Sequence, residues 1–104
     1  MKLGILPIVR RNYLMLEIKY SGKFLKSFKR IKLTKNEEED LKYVITSLQK
    51  QKQLENRFKR HNLLGKFKEL TDIHIRQNIV LLVKITEDTL FLYDIGTHAE
   101  VLHL

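Results

Sequence analysis

The chain has 104 residues, of which 20 are Lys or Arg and 12 are Asp or Glu, giving a formal net charge of +8. This length suits a single domain, and a hydrophobic fraction of 43% is too high for a disordered tail. The absence of cysteine excludes a disulfide framework and a thiolate nucleophile, and it fits a reducing cytoplasm. The apolar stretches are too short for a membrane span, which needs roughly 20 residues.

The charge is distributed unevenly along the chain. Residues 19–68 contain 15 basic and five acidic residues, for a net charge of +10, whereas residues 69–104 contain two basic and six acidic residues, for a net charge of −4. A cationic first half can contact the phosphates of a nucleic acid or an acidic protein segment. A solvated helix surface is the plain alternative, and composition alone leaves these interpretations open.

The first elements are predicted to be a strand and two helices. Residues 1–14 are expected to be an N-terminal extension to a single domain at residues 15–104. A strand is indicated by the apolar alternation of Leu14, Leu16, Ile18 and Tyr20. Ser21 can then cap a helix whose apolar residues recur at spacings of three and four, namely Phe24, Leu25, Phe28 and Ile31. A second helix is expected from Asn36, which with Glu39 resembles a capping box.

The remaining elements are predicted to be strands. The helical periodicity fades after Gln51, and residues 53–65 are expected to form a basic loop. Strands are predicted at residues 66–70, 72–75, 79–85 and 89–95, with turns at residues 77–78 and 87–88. These short connections favour antiparallel hairpins. The sequence therefore predicts an α+β fold in which both helices pack on one face of a curved, mainly antiparallel sheet and the other face is free for a ligand.

Several segments between residues 15 and 102 occur in an order and spacing that resemble a known family. They are residues 20–31, residues 44–48, His61 with Leu63 and Gly65, His74, residues 81–83 and residues 96–101. Together they resemble the YafQ branch of the RelE/ParE toxin superfamily, and the closing Gly96-Thr97-His98 is the most specific part. The resemblance implies a RelE-like fold and a bacterial type II toxin that enters the ribosomal A site and cleaves mRNA. It also implies a cognate antitoxin that keeps the toxin silent.

Metal-free RNA cleavage needs a base for the ribose 2′-hydroxyl, an acid for the leaving 5′-oxygen, and cations near the transition state. Histidine suits both proton-transfer roles because its ordinary pKa lies near neutrality. The resemblance implies His61, His74 and His98 as the catalytic residues, with no metal and no cofactor. We expect His61 and His98 to share the acid and base roles, and His74 to position the phosphate or assist proton transfer.

Cations around the histidines are candidates for RNA and phosphate binding. The candidates are Lys59, Arg60, Lys66, Lys68 and Lys84, together with the polar Asn78. Asn78 stands where close relatives carry an aspartate, Thr71 where an arginine is usual, and Leu102 where an aromatic residue is expected. Lys84 can replace a missing cation, and Asn78 can orient a histidine or a base. Tyr13, Tyr20, Tyr43 and Tyr93 are further candidates, as stacking platforms.

Other interpretations of the same residues stay open. His74 lies between Ile73 and Ile75 and on its own is typical of a surface or core histidine. Three histidines can also bind zinc, although nothing in their spacing demands a metal. The alternative function is a non-catalytic basic module that binds RNA or an antitoxin.

Overall fold

A computed structural model describes residues 15–102 of the protein. Its strands are β1 (Glu17–Tyr20), β2 (His61–Asn62), β3 (Thr71–Arg76), β4 (Ile79–Ile85) and β5 (Thr89–Gly96). Its α-helices are α1 (Gly22–Arg30), α2 (Lys35–Gln49) and α3 (His98–Leu102), and 3₁₀ turns lie at Asn56–Phe58 and Gly65–Phe67. The N-terminal extension predicted for residues 1–14 lies outside the described residues.

The five strands form one sheet in the order β1-β5-β4-β3-β2. The pairs β2–β3, β3–β4 and β4–β5 are antiparallel, which confirms the predicted α+β fold with a mainly antiparallel sheet. β1 instead pairs in parallel with β5, a pairing that the sequence analysis did not predict. Parallel neighbours need a long connection, and the chain between Tyr20 and Thr89 supplies it.

Both long helices begin at side-chain caps. The Ser21 hydroxyl accepts a hydrogen bond from the Phe24 N–H at 2.8 Å, as predicted for α1. At α2 the predicted capping box of Asn36 and Glu39 is wrong, because Thr34 caps the helix together with Glu37. The Thr34 hydroxyl accepts from the Glu37 N–H at 3.2 Å, and the Glu37 carboxylate accepts from the Thr34 N–H at 2.8 Å.

The main hydrophobic core lies between the sheet and the two long helices, as predicted. The helices contribute Phe24, Leu41, Val44 and Leu48, and the strands contribute Ile73, Ile75, Ile79, Leu81, Val83, Leu90, Leu92 and Ile95. Phe58, from the connection between α2 and β2, is fully buried in the same core. This burial fixes the start of the basic segment that leads to His61.

Three predictions about the second half of the chain are corrected. Residues 66–70 do not form a strand, because Gly65–Phe67 is a 3₁₀ turn that starts at Gly65 with φ +68°. The predicted loop at 53–65 contains the short strand β2, which pairs with β3. The second face of the sheet is not wholly free, because Val101 of α3 packs there on Val80 and Leu82. Among the described helices, none is long and apolar enough to cross a membrane.

Candidate active site

The strand register brings the three predicted histidines to one end of the sheet. His61 on β2 pairs with Asp72 on β3, and His74 follows two residues later on the same face of β3. His74 in turn pairs with Val80 on β4, and Val80 pairs with Gly96 on β5. The chain then passes from Gly96 into α3, whose first residue is His98. Residues that are far apart in the sequence therefore meet beside β3.

His74 lies in the middle of the three histidines. Its ring centroid is 5.9 Å from that of His61 and 5.6 Å from that of His98, and both ring pairs are nearly perpendicular. The His61 side chain is 60% exposed, whereas that of His74 is 22% exposed. A phosphate that contacts His74 would therefore have an imidazole on each side.

Asp72 joins this cluster, and the sequence analysis did not identify it. Its side chain is only 3% exposed, with Oδ1 3.5 Å from Nδ1 of His61 and Oδ2 3.5 Å from Nε2 of His74. These distances are longer than ordinary hydrogen bonds. Among the described residues, Oδ1 is buried without a hydrogen-bond partner. The available sequence signal was the Asp72-x-His74 spacing, which places both side chains on one face of a strand.

The first turn of α3 holds His98 in place. The Thr97 N–H donates to the Glu100 carboxylate at 2.9 Å, and the Glu100 N–H donates to the Thr97 hydroxyl at 3.1 Å. The hydrogen bonds from the Thr97 backbone and hydroxyl lower the pKa of Glu100 below its usual value of 4.5. Val101 anchors the same turn in the second apolar cluster, on Val80 and Leu82.

A groove of about 850 Å³ is lined by lysines and aromatic rings. The lysines are Lys19, Lys66, Lys68 and Lys84, and the rings are Phe67, Phe91 and Tyr93. The rings of Phe91 and Tyr93 are 6.5 Å apart, and Lys84 forms a 3.0 Å ion pair with Glu69 that lowers the pKa of Glu69. Leu70 and Tyr93 also pack against the second apolar cluster, so the groove lies next to the residues on which α3 packs. We call it the lysine–aromatic groove.

The predicted RNA-binding residues are divided between this groove and other surfaces. Lys66, Lys68 and Lys84 line it, and so do Lys19 and Phe91, which the sequence analysis did not identify. Arg60 instead lines a separate cavity with Leu16 and Leu48. Lys59 is exposed after the first 3₁₀ turn, with φ 39°, and Asn78 is exposed in the turn between β3 and β4.

Two of the candidate tyrosines are not in the lysine–aromatic groove, but Tyr93 is. Tyr20 lines a different groove, between the two long helices, and Tyr43 packs against Phe58. Tyr13 lies outside the described residues. Among the described tyrosines, only Tyr93 therefore lines the groove that contains the predicted lysines.

Sequence and structure comparisons agree on one family. The family model described as a bacterial toxin of type II toxin-antitoxin system, YafQ, matches residues 16–103. A copper-bound mutant toxin from Helicobacter pylori is 31% identical and has a TM-score of 0.78, over 84% of this chain and 99% of that one. YafQ from Escherichia coli is 29% identical with a TM-score of 0.71, over 83% and 97%. YafQ in the E. coli DinJ–YafQ complex is 32% identical with a TM-score of 0.70, over the same shares. Among curated protein sequences, none matches significantly.

Proposed function

Because the chain belongs to the YafQ family of toxins from type II toxin–antitoxin systems, we propose that it is a ribosome-dependent mRNA endoribonuclease that inhibits translation. The observation that carries this proposal is the meeting of His61, His74 and His98 at one end of the sheet. The proposed reaction uses histidine acid–base chemistry and no metal.

The proposed reaction is an internal displacement at one phosphodiester. One histidine removes the proton from the ribose 2′-hydroxyl, whose oxygen attacks the adjacent phosphorus. The bond from phosphorus to the 5′-oxygen breaks, and a second histidine donates a proton to that oxygen. The products are a 2′,3′-cyclic phosphate and a 5′-hydroxyl end. His61 and His98 flank His74, so they suit the two proton-transfer roles while His74 binds the phosphate in the middle.

The lysine–aromatic groove is the proposed path of the RNA. Its lysines can neutralise backbone phosphates, and its rings can stack on unpaired bases. Stacking of this kind is available to single-stranded RNA but not to a closed duplex, whose bases are already paired and stacked. An mRNA that the ribosome presents as a single strand has the unpaired bases that this stacking requires.

A cognate antitoxin is the proposed protein partner. The E. coli relative that is 32% identical forms a complex with DinJ, which supports a comparable partner for this chain. The net charge of +10 over residues 19–68 suits an acidic or amphipathic antitoxin segment. A segment bound there would also keep RNA away from the groove.

The test compares wild type with His98→Ala on translating ribosomes that carry a defined mRNA, with new RNA ends mapped by primer extension. We expect ends at the A-site codon with wild type only, and none when ribosomes are omitted. Tyr43→Phe on α2, away from the histidines, serves as the control and should cleave like wild type. Thermal unfolding must show that His98→Ala is folded.

The alternative, a non-catalytic binding module, predicts a different result. A folded wild-type protein that binds RNA or an antitoxin but produces no new ends would favour it. Equal cleavage by wild type and His98→Ala would remove His98 from the mechanism.

A further inference from the structure

We propose that His61, Asp72 and His74 form a binding site for one divalent transition-metal ion such as Zn²⁺, and that the bound ion inhibits the nuclease. The first half of this proposal stands on the geometry of the three side chains. The second half rests on the proposed function, because inhibition presupposes that His61 and His74 act on RNA.

The positions of the three side chains fit a small metal ion. One ligand atom from each residue can be chosen so that all lie within 4.8 Å of one another. The carboxylate oxygens of Asp72 are each 3.5 Å from a histidine nitrogen. Around a tetrahedral Zn²⁺ with bonds of about 2.0–2.1 Å, neighbouring ligand atoms lie about 3.3 Å apart. The ligand atoms are therefore close to metal-bound spacing, and the exposed His61 side chain has room to move toward the other two.

The backbone preorganises these ligands. The pairing of His61 with Asp72 across β2 and β3 fixes two of the three Cα positions, and His74 lies on the same strand as Asp72. Imidazole nitrogen and carboxylate oxygen are both ordinary zinc ligands, and three protein ligands leave a fourth position for water. The arrangement thus resembles an open metal site more than a closed structural one.

The environment of Asp72 supplies an independent reason to expect a cation. A buried carboxylate oxygen without a hydrogen-bond partner is costly, since native proteins pair nearly all such atoms. Oδ1 of Asp72 is such an atom among the described residues, and it faces Nδ1 of His61 at 3.5 Å. A metal ion between these two atoms would satisfy the carboxylate directly.

Metal binding and the proposed proton transfer exclude each other. A histidine coordinates a metal through the lone pair that would otherwise accept a proton. A bound ion would therefore remove His61 and His74 from the reaction together and would leave His98 alone. One base without its partner acid cannot complete the cleavage, so the ion acts as a reversible inhibitor.

The binding test uses Zn²⁺ alone. Chelator-treated protein is titrated with Zn²⁺, and the binding is measured by calorimetry. Wild type is compared with His61→Gln and Asp72→Asn. The control is Glu69→Gln, because Glu69 is an exposed acid that lies in the lysine–aromatic groove. We expect one ion per chain for wild type and control. The affinity of the other two variants should fall by about tenfold or more, the size of effect that loss of even an outer-shell partner produces.

His61→Gln keeps the binding test decisive if the buried Asp72→Asn variant fails to fold, because the His61 side chain is largely exposed. Zinc affinity of His61→Gln equal to that of wild type would overturn the site. Failure of wild-type protein to bind Zn²⁺ above background would overturn it too.

Inhibition is tested separately on translating ribosomes, with wild type loaded with one equivalent of Zn²⁺ and with a zinc-selective chelator added afterwards. We expect cleavage to fall when zinc is bound and to return with the chelator. Unchanged cleavage by the zinc-saturated protein would overturn the inhibitory role. Absence of cleavage by metal-free wild type would count against the proposed nuclease, while the calorimetry would still decide the metal site.

Discussion

The side chains of Thr97 and Glu100 each hydrogen-bond to the backbone N–H of the other residue, at 3.1 and 2.9 Å, and thereby start α3 directly after β5. A Cβ at the preceding residue, Gly96, would lie 2.9 Å from Oε1 of Glu100, so a larger residue there would push the Glu100 carboxylate away from its place in this capping box. In the segment Gly96-Thr97-His98, Gly96 therefore ends β5, Thr97 caps α3, and His98 is the first residue of that helix. This segment places the His98 ring 5.6 Å from the His74 ring, measured between centroids.

Removal of the Thr97 hydroxyl should weaken the start of α3 and disturb the position of His98. We expect Thr97→Ala to lower the free energy of unfolding by about 1 kcal/mol, the usual cost of losing an N-cap. Cleavage should fall by more than the lost folded fraction explains, because His98 is the next residue. Urea denaturation and the ribosomal assay measure the two effects. Thr97→Ser keeps the hydroxyl and serves as control; equal behaviour of the two variants would contradict the prediction.

The capping box should also respond to acid. Hydrogen bonds from Thr97 hold the pKa of Glu100 below 4.5, so the folded pKa is lower than the unfolded one. The stabilisation that the ionised Glu100 carboxylate gives to the folded protein is then complete above pH 4.5, and it is lost as the pH falls through the lower, folded pKa. In an NMR titration, the chemical shift of the Thr97 amide should change with a midpoint at this folded pKa in wild type and should show no such step in Glu100→Gln. A midpoint at or above 4.5 would refute it.

Local apolar patterns predicted where two of the strands lie. The apolar run Ile79–Ile85 is a central strand. The alternation that ends at Tyr20 contains β1, although Tyr20 itself is exposed and only Ile18 within β1 is half-buried. The start of α2 was misplaced because Thr34 and Asn36 both have an acid three residues later. Leu33, directly before the Thr34 cap, packs against the core, and the helix periodicity alone could not reveal that contact.

Features that depend on distant contacts could not be predicted from local patterns. β2 has two residues, too few for a recognisable alternation, yet its pairing places His61 beside Asp72. Phe67 and Leu70 were assigned to a strand, but Leu70 donates its N–H to the Phe67 carbonyl, and their spacing of three suits a tight turn. The order of the histidines agreed with the family pattern. The Asp72-x-His74 spacing indicated only that these two side chains share one face of a strand, and it could not reveal that the Asp72 carboxylate is buried beside His61.

Phe58 links the core to the site and gives a stability prediction. Its ring is fully buried, with the guanidinium of Arg57 4.1 Å from its centroid. Phe58→Ala should reduce the free energy of unfolding by about 3–5 kcal/mol, as expected for an aromatic ring removed from a core. Phe28→Ala is the matched control, since Phe28 is 40% exposed and should cost less. Chemical denaturation distinguishes them, and equal losses would show that Phe58 is not a core anchor.

The lysines of the lysine–aromatic groove should determine the salt dependence of RNA binding. Removing one phosphate contact from a single-stranded complex should reduce the slope of log K against log salt by about 0.7. We expect this change for Lys66→Ala, measured by fluorescence anisotropy with a labelled RNA oligonucleotide at several salt concentrations. Lys42→Ala is the control, because Lys42 lies in the groove between the long helices. An equal change in both variants would indicate diffuse attraction instead of a defined path.

Phe91 should act on the same RNA through stacking and not through charge. Phe91→Ala is expected to weaken binding by about 1–3 kcal/mol, the usual contribution of one base stacked on an aromatic ring. The salt slope should stay as in wild type, since no cation is removed. Phe91→Tyr keeps a ring 6.5 Å from Tyr93 in this geometry and should preserve affinity. A loss of affinity in Phe91→Ala accompanied by a shallower salt slope would mean that the substitution disturbs the neighbouring lysines, and the ring would then have no separate role in binding.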